Sequence, residues 1–161
     1  MKRYLVTGVA GFIGANVATA LLRAGHGVVG ADNFNDYYDP QLKRYRLVPL
    51  LAEPHFSFVE TDLADARATQ ALFADRPFHV VIHLAAQAGV RYSLQNPGAY
   101  VQSNLVGFQQ CVQVLARVDS ESRCSHLRQL SHGRILGRGS LKCHRPRKSR
   151  LLLVATLLLA T

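Results

Sequence analysis

The sequence predicts an α/β fold, a doubly wound parallel sheet of about four strands confined to residues 1–116. Three observations lead there. Short apolar, β-branched runs alternate with segments of helical period. Glycines stand three apart directly after the first such run, and an acid closes the second.

The first run, Tyr4-Leu5-Val6, suits a strand buried on both faces of a parallel sheet. Thr7-Gly8-Val9-Ala10-Gly11-Phe12-Ile13-Gly14 follows, and its glycines serve different ends. Without a Cβ the chain can turn sharply, backbone N–H groups can approach a pyrophosphate, and the next helix can lie close to the strand. A phosphate would sit on the N-terminus of that helix, where orphan donors and the helix dipole favour an anion. From Ile13 the apolar positions Val17, Ala20, Leu21 and Ala24 keep helical spacing, and Gly25-His26-Gly27 supplies the stop. Val28 to Ala31 is the second strand, and Asp32 falls at its end, eighteen residues after Gly14. That is near the spacing at which an acid reaches adenosine ribose hydroxyls. Gly8, Gly11, Phe12, Ile13, Gly14, Asp32 and the adjoining Asn33 are therefore candidate cofactor-binding residues.

Asp39-Pro40 reads as a cap with proline in the first helical turn, opening a short basic helix through Leu47 that Pro49 ends. Lys43, Arg44 and Arg46 are read there as a solvated face in preference to phosphate contacts. His55 to Glu60 alternates as a third strand. Asp62 after it could cap a helix through Phe73. His79 to His83 is a fourth strand, running into Leu84-Ala85-Ala86, whose small side chains leave room in the crevice where such sheets bind ligands. His83 has no acid or nucleophile near it in sequence and reads as structural. Gln87 to Ser93 is a loop, and Asn96-Pro97 starts a helix. Val101, Leu105, Phe108, Val112 and Leu115, at steps of 4, 3, 4 and 3, give that helix one apolar stripe for the sheet.

LVTGVAGFIG, GHGVVGADNFNDYYDPQLKRYRL and VIHLAAQAGVRYSLQNPGAYVQSNLVGF together resemble the extended short-chain dehydrogenase/reductase superfamily, and within it the nucleotide-sugar 4-epimerases similar to UDP-glucuronate 4-epimerase. The resemblance covers residues 1 to about 115. It implies a Rossmann-type fold, NAD as cofactor, a UDP-sugar as substrate and, for the parent family, homodimers. It also implies adenine contacts from Asp62 and Leu63, cofactor contacts from Leu84, Ala85 and Ala86, and a positioning role for Asn104. Gln87 and Arg91 would face the sugar nucleotide. The family's general base is a Tyr-x-x-x-Lys pair, in which lysine and the nicotinamide charge lower the tyrosine's pKa. Four residues after Tyr4, Tyr37, Tyr38, Tyr45, Tyr92 and Tyr100 stand Gly8, Gln41, Leu42, Pro49, Asn96 and Asn104, so no catalytic residue is assigned.

Charge divides the chain at the same place. Of a formal net charge of +9, residues 117–161 carry ten Lys/Arg against two acids, Asp119 and Glu121, whereas residues 1–116 carry nine against eight. The tail lacks aromatic residues and sustained periodicity, and the expected fifth strand with its serine-rich turn is not recognisable in it. It reads as a non-native or disordered extension, as a shifted reading frame or truncated gene would give. A nucleic-acid arm would need interleaved aromatics, so no nucleic-acid partner is expected. Cys111, Cys124 and Cys143 form no paired spacing, which suits a reducing, cytoplasmic setting, and with His126 and His144 they match no metal pattern. The apolar run Leu151 to Ala160 is too short to span a membrane. The reading is a dinucleotide-binding half-domain of an epimerase; the alternative is a catalytically silent NAD-binding module or regulatory partner.

Overall fold

A computed structural model describes residues 1–74, 78–119, 125–131, 134–135 and 150–155. Strands β1 (Arg3–Thr7), β2 (Gly27–Asp32), β3 (Phe56–Glu60) and β4 (Val80–His83) are the four parallel strands the sequence predicts, and they lie in the order β3-β2-β1-β4. Helices α1 (Phe12–Arg23), α2 (Pro40–Leu51) and α3 (Ala66–Ala74) alternate with them. After β4 come α4 (Val90–Gln95), α5 (Pro97–Tyr100), a π-helical stretch Val101–Gly107 and α6 (Phe108–Asp119).

Strand alternation builds a core on each face, because successive side chains point to opposite sides. Val6, Val28 and Ile82 pack with Val9, Ala18, Leu47 and Leu50, from the side of α1 and α2. Leu5, Val29 and Val81 pack with Leu72, Phe73, Cys111, Val114 and Leu115, from the side of α3 and α6. β1, β2 and β4 are covered on both faces, which is why they read as near-continuous apolar runs, whereas β3 at the sheet edge alternates and is only half-buried.

Several elements depart from the sequence reading. Helix α2 continues through Pro49 to Leu51, since Leu50 is buried and holds the last turn in place despite the missing N–H. Asp65, not Asp62, caps α3, accepting from Arg67 N (2.8 Å) and Ala68 N (3.1 Å). The segment read as a loop, Gln87 to Ser93, is helical from Val90, where α4 begins and runs on to Gln95. The expected stripe is buried only in its second half: Val101 is 47% and Leu105 63% exposed, while Gly107, Cys111, Val114 and Leu115 face inward. The π-turn supplies the reason, because its wider turns shift the helical phase between Val101 and Phe108.

The sheet also extends beyond β4. β7 (Arg150–Ala155) pairs in parallel with β4, β5 (Ser125–Ser131) pairs in parallel with β7, and β6 (Arg134–Ile135) pairs with β5 antiparallel. The order becomes β3-β2-β1-β4-β7-β5-β6. A strand, Leu151 to Val154, therefore covers the edge of β4, and its unbroken apolar run is the pattern of a strand inside a parallel sheet. Cys124, Cys143 and His144 lie outside the described residues.

Candidate functional site

The glycine turn joins β1 to α1 at the carboxyl edge of the sheet. Gly8 has φ +67, a left-handed conformation that favours glycine, and its N–H donates to the Ala31 carbonyl at 2.8 Å. A Cβ on Gly8 would come within 2.8 Å of the Leu84–Ala85 backbone, so this turn sits directly against the end of β4. A Cβ on Gly14 would stand 2.1 Å from the Gly8 carbonyl oxygen. Gly11 is the N-cap of α1 and offers no side-chain cap, and no acid stands in the first turn. The first-turn N–H groups are thus without a side-chain acceptor, at the positive end of a twelve-residue helix. Phe12, 71% exposed, and Ile13 flank this cradle on the outside.

Asp32 closes the turn from the β2 side. One carboxylate oxygen accepts from Ala10 N at 3.1 Å and the other from Phe34 N at 3.0 Å. The acid at the end of β2 and the phosphate-type turn after β1 are therefore one hydrogen-bonded unit. Asn33 is exposed and its side-chain oxygen accepts from Asn35 N at 3.2 Å. Phe34, at φ +48, is the non-glycine residue of positive φ among those described. Its ring packs on Phe58 and carries the Arg44 guanidinium 4.7 Å from its centroid.

The basic face of α2 is not simply solvated, contrary to expectation. Lys43 is buried and donates to the Asn35 carbonyl at 2.7 Å and to Asn35 Oδ1, and Arg46 approaches the Ala10 carbonyl at 3.5 Å. Burial pulls the Lys43 pKa down, against the fields of Asp32 and Asp36, which raise it. A helix at the mouth of the crevice turns these long side chains inward, which sequence spacing cannot reveal.

At the end of β3, Asp62 is exposed and its Oδ1 accepts from Ala64 N at 2.9 Å, while Leu63 is buried in the core. Beyond β4, Thr7 organises the backbone. Its hydroxyl oxygen accepts from Leu84 N and Ala85 N, each at 3.1 Å, and lies 3.1 Å from His83 Nδ1. With both lone pairs engaged, the hydroxyl donates its proton to Nδ1, which fixes His83 as neutral imidazole protonated on Nε2. Burial pushes the His83 pKa down to about 4, in keeping with the structural role read from sequence. Ala86 is exposed at the crevice.

Asn104, on the π-turn, binds the backbone of Gln87 from both sides: its Oδ1 accepts from Gln87 N at 2.7 Å and its Nδ2 donates to Gln87 O at 3.1 Å. It thus fixes the loop after β4. A π-turn reaiming one polar side chain is a common device at functional sites. Arg91 is exposed on α4. Tyr37, Tyr38, Tyr92 and Tyr100 cluster around the same loop, with Tyr100 donating to the carbonyls of Ala88 (2.7 Å) and Gly89. Partial burial, and then neighbouring phenols, raise the Tyr37 and Tyr100 pKa values, so both stay protonated donors. Gly8, Gly11, Gly14, Asp32, Leu84, Ala85, Gln87 and Asn104 are thereby gathered at one sheet edge; the tyrosines and Lys43 join them without having been expected.

Among the described residues no group of three His, Cys, Asp or Glu could hold a metal ion, and no helix is long and apolar enough to cross a membrane. Cys111 is buried and its thiol is pushed up to about 12, which leaves it inert.

Known proteins resemble this chain in sequence and fold. UDP-glucuronate 4-epimerase 3 of Arabidopsis thaliana is 54% identical over 110 residues, covering 68% of this chain and 25% of the relative. UDP-glucuronate 4-epimerase of Thermodesulfobacterium geofontis is 50% identical over 107 residues, covering 66% and 33%. The crystal structure of UDP-glucuronic acid 4-epimerase from Bacillus cereus in complex with UDP-glucuronic acid and NAD superposes with a TM-score of 0.64 at 35% identity, over 70% of this chain and 35% of that one. The chain thus spans about a quarter to a third of the length of these curated relatives. The family model for GDP-mannose 4,6 dehydratase matches residues 5–133, past the point where the sequence motifs end. On that match the chain belongs to the GDP-mannose 4,6-dehydratase family of the extended short-chain dehydrogenases/reductases.

Proposed function

We propose that this chain binds NAD as the cofactor-holding part of an epimerase similar to UDP-glucuronate 4-epimerase, and that these 161 residues do not by themselves epimerise a UDP-sugar. The observation that carries the reading is the glycine turn locked to Asp32 through Ala10 N–H, which sets an anion cradle and a ribose-type acceptor side by side. The residues fit the cofactor: Gly14 lets α1 lie directly against the Gly8–Val9 backbone, where a Cβ would clash, and α1 presents its first turn uncapped. Gly8, Gly11, Phe12, Ile13 and Gly14 would hold the pyrophosphate, Asp32 and Asn33 the adenosine ribose, and Asp62 and Leu63 the adenine. Leu84, Ala85, Ala86 and Asn104 would bound the far half of the dinucleotide, with Gln87 and Arg91 toward the sugar nucleotide. Bound NAD would supply reversible two-electron oxidation at the sugar's 4-position.

The proton step is where this chain stops short. It has no Tyr-x-x-x-Lys, and the pKa values of Tyr37 and Tyr100 are raised, away from that of a base. Loss of a general base costs roughly 10²- to 10⁴-fold in rate. We take residues 1–116 as the cofactor-binding unit, onto whose β4 edge the described strands of the basic remainder pair. The competing reading, a silent NAD-binding module, shares the cofactor and differs in lacking any sugar-nucleotide site.

Thermal unfolding with and without ligands separates these cases. NAD at a hundred times its Kd is expected to stabilise the fold by about 2.7 kcal/mol, and UDP-glucuronate to add a further rise in Tm. Chromatography of the same mixture is expected to show no UDP-galacturonate. A UDP-glucuronate response absent with NAD saturating leaves the silent module; no NAD response removes the proposal.

A further inference from the structure

The loops after β2 and β4 are joined by a continuous run of polar contacts. Lys43, 7% exposed, turns its ammonium onto both acceptors of Asn35, the carbonyl at 2.7 Å and Oδ1. Asn35 Nδ2 then donates to Gln87 Oε1 at 3.1 Å. Gln87 is buried, and Asn104 grips its backbone on both sides. β2 and β4 are the two neighbours of β1, so their ends stand about 10 Å apart at the usual strand spacing. A link between the loops that follow them crosses the carboxyl end of β1, where the glycine turn begins.

We propose that Lys43, Asn35 and Gln87 form a strap across the mouth of the dinucleotide crevice, with Lys43 as the positioning residue that sets how fast the cofactor leaves. This rests on the NAD-binding reading above.

Lys43 decides the orientation of Asn35. An ammonium has three donors and no acceptor, so it selects the amide rotamer that points Oδ1 toward α2 and Nδ2 toward Gln87. Without that cation the amide can flip, setting Oδ1 against Gln87 Oε1, two acceptors that repel. Asp32 and Asp36 face the ammonium with favourable charge and Arg46 opposes it. A cation buried here costs desolvation that methionine would not, so fold stability alone does not account for it. The strap also links the adenosine end of the crevice to the loop that Asn104 and Tyr100 fix.

The test follows release of the fluorescent probe 1,N6-etheno-NAD, chased by excess NAD, from the full chain. Lys43→Met is expected to speed release about tenfold, the worth of one hydrogen bond to a charged group. Asn35→Leu is expected to match it, and the double variant to exceed neither, because the links act in series. Amide exchange at residues 33–36 and 87–89 should rise together in each variant, and Lys43→Arg should restore part of the loss. Release unchanged in Asn35→Leu, or faster in Lys43→Met alone, overturns the strap. Should Lys43→Met fail to fold, Asn35→Leu decides by itself. Failure of the unaltered chain to bind the probe removes the NAD reading and the strap with it, whereas binding with unaltered release in the variants removes the strap only.

Discussion

Replacing Gly14 by alanine probes the contact on which the cradle depends. The new Cβ would lie 2.1 Å from the Gly8 carbonyl oxygen and 2.8 Å from both Gly8 C and Val9 Cα. Carbon and oxygen in contact sit about 3.5 Å apart, so more than an ångström must open. Every atom it meets is backbone, and no side chain can swing aside. Overpacking of this kind costs about 1–3 kcal/mol or more, against a helix-propensity gain of about 1 kcal/mol for alanine over glycine. The net expectation is a loss of about 2 kcal/mol, a fall in Tm of about 4–8 °C for a chain of this size. Relief by pushing α1 away from β1 would also displace the first-turn N–H groups, so NAD binding should weaken by more than tenfold. Gly25→Ala is the control. Gly25 has φ +77 with nothing within 4 Å of its Cβ position, so alanine there costs about 1–2 kcal/mol of strain far from the turn and should leave NAD affinity intact. Differential scanning calorimetry and isothermal titration on the two variants give both quantities. Gly14→Ala with unchanged Tm and unchanged NAD affinity would refute the reasoning.

Other perturbations test separate parts of the site. At Gly11 a Cβ meets only the Gly8 carbonyl oxygen, at 3.1 Å, and the backbone has an ordinary φ of −72; for Gly11→Val circular dichroism should find stability within about 1 kcal/mol of the parent, while titration finds no NAD binding. His83 has a folded pKa of about 4 against an ordinary 6.5, so the unfolded chain takes up a proton first as pH falls. Its contribution is fully present above pH 6.5 and is lost progressively down to pH 4, about 3 kcal/mol in all; urea unfolding should show that slope in the parent and not in His83→Asn. Thr7→Val removes the hydroxyl that accepts from Ala85 N, while Leu84 N keeps the Thr7 carbonyl at 3.2 Å, and should cost about 1–3 kcal/mol by the same urea measurement.

How much of this was legible beforehand depends on whether the signal is local. The turn from Thr7 to Gly14 and the acid at Asp32 are readable because the requirement is local: Gly8 needs its φ of +67, Gly14 admits no Cβ beside the Gly8 carbonyl, and Asp32 accepts from Ala10 N and Phe34 N. Asp39 and Asn96 read correctly as caps for the same reason, accepting from Gln41 N and Ala99 N. Sequence spacing puts Lys43 on a solvated face because its burial is decided by Asn35 and Asp32, which lie outside the helical pattern. The π-turn left no mark in the apolar spacing, since Val101 and Leu105 are the right residue types at the right intervals and only the backbone phase differs. β7 is not legible in sequence because its strand partner, β4, lies some seventy residues earlier in the chain and a short apolar run does not name its partner. The crossing from Asn35 to Gln87 is likewise a product of strand order, with fifty-two residues between its ends.

The central claim is that Asp32 and the glycine turn hold NAD. The most direct measurement is isothermal titration of the chain with NAD and, separately, with NADP. Asp32, with both oxygens held by backbone N–H groups, would accept from the ribose hydroxyls and repel a 2′-phosphate. The expected result is one-to-one NAD binding, at least tenfold weaker binding of NADP, and that preference lost in Asp32→Ala. NADP binding as tight as NAD, or no binding of either, would contradict the account.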